Sequence, residues 1–356
     1  MSSSVYVPAR PPRVAVVGAG LAGITCARRL SEAGCAVQLF DKSRGVGGRM
    51  ATRRVEWIDT DGAVHRAAFD HGAPAFSARS AAFRAFIDEA VGDGVLRRWE
   101  PVMAPGSHAN LDGLAHWVAT PDMPALCRHL AAGLPLTRSC TVDELVRDRD
   151  GGWRLLSQGD MVGDGVFDAV VLAMPPAQAA VLLALHRDDW ARQAWSVPMQ
   201  PCWTLMGAEG GTPPPWDAAW PQRGPLAWIV RNASKPGRAA EDDGLTRWVV
   251  HATAEWSATF LESASDSVQS ALQEALAREL GRTPRWAHVA VHRWRYALAP
   301  RRTDAAGKPC WWDAALGLGV CGDFFTGAGV EGAWLSGRAL AAAIVPATAD
   351  ARAPGR

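Results

Sequence analysis

Residues 14–50 read VAVVGAGLAGITCARRLSEAGCAVQLFDKSRGVGGRM, and the fold is decided here. Val14 to Val17 form a short apolar, β-branched run, which predicts a buried parallel strand. The run breaks at once into Gly18-Ala19-Gly20-Leu21-Ala22-Gly23, the strand-to-helix turn of a dinucleotide site. In such a turn Gly18 permits the tight bend, Gly20 lets the backbone approach a pyrophosphate, and Gly23 lets the helix pack against the strand. The first helical residues, Leu21 and Ala22, then offer N–H groups and the positive end of the helix dipole to the phosphates. Apolar residues at Leu21, Ile24, Ala27 and Leu30 keep helical spacing until Gly34. A second strand, Ala36 to Phe40, ends in Asp41, 21 positions after Gly20, where a carboxylate accepts hydrogen bonds from an adenosine ribose. Lys42, next in the chain, joins it as a candidate cofactor contact.

Gly45-Val46-Gly47-Gly48-Arg49-Met50 is a second glycine-rich loop directly after that acid. Simple nicotinamide dehydrogenases have no need of one there. The loop resembles the GG-R motif of flavin amine oxidases, which implies that Gly48, Arg49 and Met50 run along an FAD pyrophosphate, a cation meeting a dianion.

The whole chain sets bounds. At 356 residues it exceeds the size at which one core keeps growing, so two domains are expected. A net charge of +1 without a basic run suggests neither nucleic acid nor an anionic membrane as partner. Hydrophobic residues at 48% and charged residues at 21% describe an ordinary soluble globular protein. Seven cysteines without a CxxC pair argue against a disulfide framework or a zinc site, and no metal is expected. Neither a secretory signal nor an 18-residue apolar run is present, which points to the cytoplasm. Residues 1–11 and 346–356 read as disordered tails.

Further along, Ala67 to Ala73 ends a short strand in a polar turn containing His71, taken by itself as a turn residue. Helices are expected over 80–91, 121–134 and 265–280, and loop or edge strand over 99–117. Strands are expected at 140–146, 153–157 and 166–173, the last almost wholly apolar and running into a helix after Pro175-Pro176. Aromatic and β-branched runs at 201–206, 226–231 and 248–252 predict an antiparallel sheet that would cover the cofactor and bind substrate. In His292-Arg293-Trp294-Arg295-Tyr296, alternation puts His292, Trp294 and Tyr296 on one face and both arginines on the other.

Near the C-terminus, Leu318 to Asp323 is a strand ending in a Gly-Asp turn, followed by a helix from about Val330. GVGGRMATRR at 45–54, FDHGA at 69–73, NASKPGR at 232–238, HATAEWS at 251–257, HRWRYA at 292–297 and VCGD with VEGAWLSG within 320–337 together resemble the renalase-like flavoproteins of bacteria. The resemblance covers most of residues 12–345. It implies an α/β chain: a Rossmann-like FAD-binding domain of the p-hydroxybenzoate hydroxylase and glutathione reductase type, with an inserted α+β substrate domain. The FAD-binding part would be residues 12–76, 122–184 and 286–345, and the substrate part 77–121 and 185–285. FAD would be noncovalent. Gly72 and Ala73 would touch the flavin through their backbone, Val142 the adenine, and Gly322 and Asp323 the ribityl chain or pyrophosphate. The helix from Val330 would face the flavin N1/C2 oxygen edge, favouring negative charge there.

Members of that family oxidise 2- and 6-dihydro isomers of NAD(P) to NAD(P)+ and pass the electrons to oxygen. A dihydropyridine becomes aromatic on losing hydride and needs no side-chain base, which suits a chain without a Ser/His/Asp or metal-ligand constellation. Trp294 is placed to stack on a nicotinamide ring, with His251 on a neighbouring strand. These two are the candidate catalytic residues. Where relatives have Gln-Tyr after the DHGA turn this chain has Pro74-Ala75, so a pocket phenol is missing and the donor is less defined than the cofactor. A flavin amine oxidase or desaturase on the same scaffold, and a flavin-free NAD(P)-binding protein, are the competing readings.

Overall fold

The computed structural model describes residues 10–107, 113–238, 243–300, 307–327 and 329–350. The chain opens with β1 (Arg13–Val17), α1 (Leu21–Glu32) and β2 (Ala36–Phe40), as the periodicity predicts. A hairpin of β3 (Arg53–Ile58) and β4 (Val64–Phe69) follows, then α2 (Ala81–Gly92), capped by the Ser80 hydroxyl, which accepts from the Phe83 N–H. The stretch expected as loop or edge strand lies between β5 (Leu96–Trp99) and β6 (His116–Ala119), which pair antiparallel.

The helix expected over 121–134 is shorter, α3 (Ala125–Ala131). Pro121 and Pro124 lack the N–H that an interior helical position needs, and Gly133 leaves the helical region through φ +77°. Next come β7 (Leu136–Thr137), β8 (Glu144–Arg147), β9 (Trp153–Ser157), β10 (Asp160–Phe167) and β11 (Ala169–Leu172). Val142 therefore precedes a strand instead of lying in one. The run expected as one strand over 166–173 is the end of β10 and the whole of β11, in two different sheets. Asp168 makes the break: its carboxylate accepts from the Arg13 N–H at 2.7 Å and pairs with the Arg10 guanidinium at 2.8 Å. Arg10, assigned to a loose tail, is thereby tied down.

The rest comprises α4 (Pro176–Leu183), α5 (Asp188–Trp195), β12 (Gln200–Gly210), β13 (Ala218–Ala219), β14 (Leu226–Arg231), β15 (Leu245–Ala252), α6 (Ala254–Thr259), α7 (Ser265–Leu280), β16 (Arg285–Leu298), β17 (Trp311–Asp313), β18 (Leu318–Val320) and α8 (Gly329–Asp350). The last helix runs into the segment assigned to the C-terminal tail; residues 1–9 and 351–356 of the two tails lie outside the described residues.

Two sheets organise these elements. The first has the order β17-β18-β11-β1-β2-β7, parallel except for β17. Its central strands are buried on both faces, as expected where helices cover a parallel sheet. The second is antiparallel, β13-β14-β15-β12-β16, and contains all three predicted aromatic runs. Its outer face packs Trp203, Leu205, Trp248 and Val250 against Val268, Leu272 and Leu276 of α7. β16 pairs along β12, so residues 286–298, expected in the nucleotide-binding segment, pair in this sheet. The β3–β4 hairpin rests on its other face, with Phe69 against Met206 and Val249. No helix among the described residues is long and apolar enough to cross a membrane.

Candidate cofactor and substrate site

The predicted nucleotide turn forms where β1 meets α1. Gly18 has φ +112°, and a Cβ there would lie 2.3 Å from the Ala173 carbonyl oxygen; one at Gly23 would lie 2.0 Å from the Gly18 oxygen. Gly20 is different. Nothing lies within 4 Å of where its Cβ would be, so the backbone there borders open space. The N-terminus of α1 also carries no side-chain cap. Helix N–H groups beside an open cradle fit a phosphate.

Asp41 ends β2 with Oδ2 accepting from the Ala19 N–H at 2.6 Å and Oδ1 from the Ser43 N–H at 2.7 Å. It holds the glycine turn, and each oxygen keeps a second lone pair for a ribose hydroxyl. Residues 137–140 run beside it through backbone bonds from Asp41 to Thr137, Ser139 to Ser43 and Cys140 to Asp41. Val142, just beyond, is buried with Phe40. Lys42 is exposed, with Nζ 3.4 Å from Gln178 of α4.

The second glycine loop lies on the first. Gly47 donates to the Ala19 carbonyl at 2.9 Å, and the Gly48 side faces the Gly20 Cα. Met50 is buried beneath, while Arg49 is a junction. Its guanidinium forms a two-pronged pair with Asp323, 2.8 and 2.6 Å, and donates to the Ala297 carbonyl at 3.1 Å. Its own carbonyl accepts from the Ala73 N–H at 2.8 Å. The Gly-Gly-Arg loop, the Gly322-Asp323 turn and the DHGA turn, far apart in sequence, therefore meet at one residue. Gly322 donates to the Ser336 hydroxyl of α8 at 2.9 Å. Val330 lies in the first turn of α8, beside Glu331, whose carboxylate accepts from the Arg79 and Ser80 N–H groups.

The DHGA turn is packed too tightly for a side chain at Gly72, whose Cβ would fall 2.0 Å from the Arg49 carbonyl oxygen. The Gly72 and Ala73 N–H groups are engaged by the carbonyls of Ala51 and Arg49, so they serve as backbone wall more than as free donors. Trp294 and His251, on β16 and β15, both reach this turn. Trp294 Nε1 donates to the His71 carbonyl at 3.1 Å; His251 Nε2 lies 2.9 Å from the Gly72 carbonyl and 3.2 Å from that of His71. Carbonyls only accept, so His251 carries its proton on Nε2. Its Nδ1 is left buried and without a partner among the described residues, as is His71 Nδ1.

Thr204, His292 and His71 also join this group, none of them among the site residues expected from the sequence. Thr204 of β12 lies opposite both His251 and His292 in register, so His251, Thr204 and His292 form one row across three strands. The His71 ring then meets His292 edge-on at 4.9 Å and Trp294 at 5.0 Å. Alternation along β16 already puts His292 on the Trp294 face; His71 needed the tertiary fold. Arg293 and Arg295 of β16 face away, both on Glu262.

Burial first, then the positive charge of neighbours, keeps these imidazoles neutral. His71 is pushed down to about 4 by burial, His292 and Arg53. Burial and Lys235 bring His251 to about 4 despite its backbone bonds, and burial and Arg53 lower His292. Beneath the turn, Asp70 has its carboxyl held at about 2 because Lys235 and Arg238 outweigh the effect of burial. No group of three or more His, Cys, Asp or Glu able to hold a metal ion occurs among the described residues.

The profile of the NAD(P)-binding Rossmann-like domain matches residues 16–90, and that of the flavin containing amine oxidoreductases matches residues 64–345. A short match to L-amino-acid oxidase of Mus musculus is 43% identical over 58 residues, 15% of this chain and 9% of that one. Among solved structures, a candidate protoporphyrinogen oxidase from Exiguobacterium sp. 255-15 superposes with a TM-score of 0.69 at 12% identity, covering 94% of this chain and 99% of the other. Cyclohexylamine oxidase from Brevibacterium oxydans IH-35A gives 0.62 at 12% identity, covering 94% and 99%, and putrescine oxidase bound to putrescine gives 0.59 at 13% with the same coverage.

Proposed function

The chain belongs to the flavin containing amine oxidoreductase family and is a flavin-dependent oxidoreductase; from that premise we propose that it is a renalase-like oxidase of 2- or 6-dihydro-NAD(P). FAD is held noncovalently, with Asp41 at the ribose, the Gly18–Gly23 turn, Leu21 and Ala22 at the pyrophosphate, and Gly48, Arg49, Met50 and Asp323 along the far side. Gly72, Ala73, Gly322 and Val330 border the ring and ribityl chain. Bound there, the flavin supplies the hydride acceptor and the route of two electrons to oxygen, giving NAD(P)+ and hydrogen peroxide.

The observation that carries the choice of donor is the charge around the ring end. Arg53 lowers His71 and His292, Lys235 lowers His251, and the anion Asp70 behind the turn is paired with two cations, Lys235 and Arg238, which leaves that cluster positive. A protonated amine would enter a positive potential, whereas a nicotinamide nucleotide brings phosphates that such a potential attracts. Trp294 and His251 have their ring N–H groups committed to the turn, which makes them a rigid wall for a planar ring. An imidazole held near 4 is a weak base, and a dihydropyridine asks for none.

Anaerobic mixing tests this. The 2- or 6-dihydro isomers should bleach the oxidised flavin band rapidly and ordinary 4-dihydro NADH slowly, because its hydride leaves from a different ring carbon. Trp294→Ala should slow that reduction by about a hundredfold while flavin stays bound, the loss expected from a small misplacement of the reacting ring. Rapid bleaching by simple primary amines, with none by the isomers, would reverse the assignment toward an amine oxidase.

A further inference from the structure

A buried charge cluster sits directly behind the His71–Ala73 turn. The Asp70 carboxylate accepts from Lys235 Nζ at 3.1 Å and from Arg238 Nε and Nη2 at 2.9 and 2.6 Å. On its other oxygen it accepts from the Thr52 hydroxyl at 2.6 Å and the Met123 N–H at 3.4 Å. The side-chain exposures of Lys235, Arg238 and Asp70 are 0%, 5% and 1%. Arg238 alone would neutralise Asp70. Lys235 therefore adds an uncompensated positive charge in a site sealed from water, and a buried ion cluster of this kind is weak evidence of a stabilising role, since apolar replacement is often neutral or stabilising.

The lysine holds something else. Its ammonium also lies 3.3 Å from Asn232 Oδ1, the same oxygen that accepts from the Asp70 N–H, while Asn232 Nδ2 donates to the Ala68 carbonyl at 3.0 Å. Backbone on both sides of Phe69 and the carboxylate of Asp70 are thus gripped by the 232–238 segment, one residue before His71. Downstream, the turn is fixed by the Arg49 and Ala51 carbonyls. We propose that Lys235 is a positioning residue, which clamps Asn232 and Asp70 together and so sets the register in which His71, Gly72 and Ala73 meet the flavin ring. This rests on the assignment of that turn as the wall of the flavin site, and not on the identity of the electron donor.

The test compares holoprotein carrying Lys235→Met with wild type. The side chains have similar volume, so folding and melting temperature should be retained or raised. The dissociation constant for FAD, read by flavin fluorescence, should rise by about tenfold, the worth of roughly one hydrogen bond lost between turn and flavin, with a shifted visible flavin band. Lys235→Arg, which keeps the charge and both acceptors, should recover part of the affinity. FAD affinity within twofold of wild type in Lys235→Met, whatever its melting temperature, overturns the proposal. Should Lys235→Met fail to fold, Asn232→Ser decides instead: it removes the bridging oxygen and leaves the ion pairs, so affinity should fall several-fold, and unchanged affinity refutes the role. FAD binding is measured without any electron donor. A dihydronicotinamide that proves inactive therefore leaves this test standing.

Discussion

Acid should destabilise this protein well before its carboxylates are titrated, through His71 and His251. Both sit in the folded chain at about 4, pushed down first by burial and then by positive neighbours, against an ordinary value of 6.5. Their folded pKa lies below the unfolded one, so the unfolded state takes up protons first. Their neutral burial is therefore free of penalty above pH 6.5, and stability is lost as the pH falls from 6.5 toward 4. Between pH 7 and pH 5 each costs about 2 kcal/mol, or about 4 kcal/mol for the pair, with close to two protons taken up on unfolding. That is a large share of the roughly 5–15 kcal/mol a domain has. His116, His288 and His292 shift in the same direction and steepen the slope. His65, raised by its bond to Asp59, has the opposite sign. Asp70 stays ionised to about 2, outside the window. Urea unfolding of flavin-stripped protein, followed by tryptophan fluorescence at pH 7, 6 and 5, measures the slope, with His71→Asn and His251→Gln each expected to remove about one proton of it. Stability constant within 1 kcal/mol from pH 7 to 5, or an undiminished slope in the double variant, would refute the reasoning.

Other consequences are more local. Asp323→Ala and Arg49→Ala should each weaken FAD binding by about 1.5–3 kcal/mol, the worth of a charge-assisted hydrogen bond, and the double variant by less than the sum because the two residues pair; full flavin affinity in both single variants would remove them from the site. Glu209 is fully buried and takes two bonds from Arg282 and one from Trp248. Glu209→Gln should therefore cost about 3 kcal/mol in urea unfolding, and a loss under 1 kcal/mol would show the pair to be dispensable. Gly337→Ala places a Cβ 2.2 Å from the Ala22 carbonyl oxygen, forcing α8 off α1. About 1–3 kcal/mol should be lost, together with flavin affinity, and unaltered melting would mean that the helices part freely.

What the sequence determined by itself was whatever depends on neighbours along the chain. The strand-turn-helix-strand unit from Val14 to Asp41 was legible to within two residues at each boundary, because glycine spacing, helical periodicity and β-branched runs are local signals. The three aromatic runs of the antiparallel sheet and the opposite faces of β16 were legible for the same reason. Errors arose where a distant residue intervened. Asp168 splits one apolar run into strands of two sheets because Arg10 and Arg13 reach its carboxylate, and β16 joins the antiparallel sheet because β12 offers it an edge. Two prolines cut α3 short, a local signal outweighed by the apolar spacing around it.

Only the tertiary structure could bring Arg49 to Asp323, 274 positions away, or Lys235 to Asp70, 165 positions away. His71 shows the physical reason most clearly. Read in the chain it is a polar residue in a turn; in the fold it lies against His292 and Trp294 of β16 and is only 7% exposed. Burial and neighbouring charge decide its protonation, and neither quantity exists until the chain has folded.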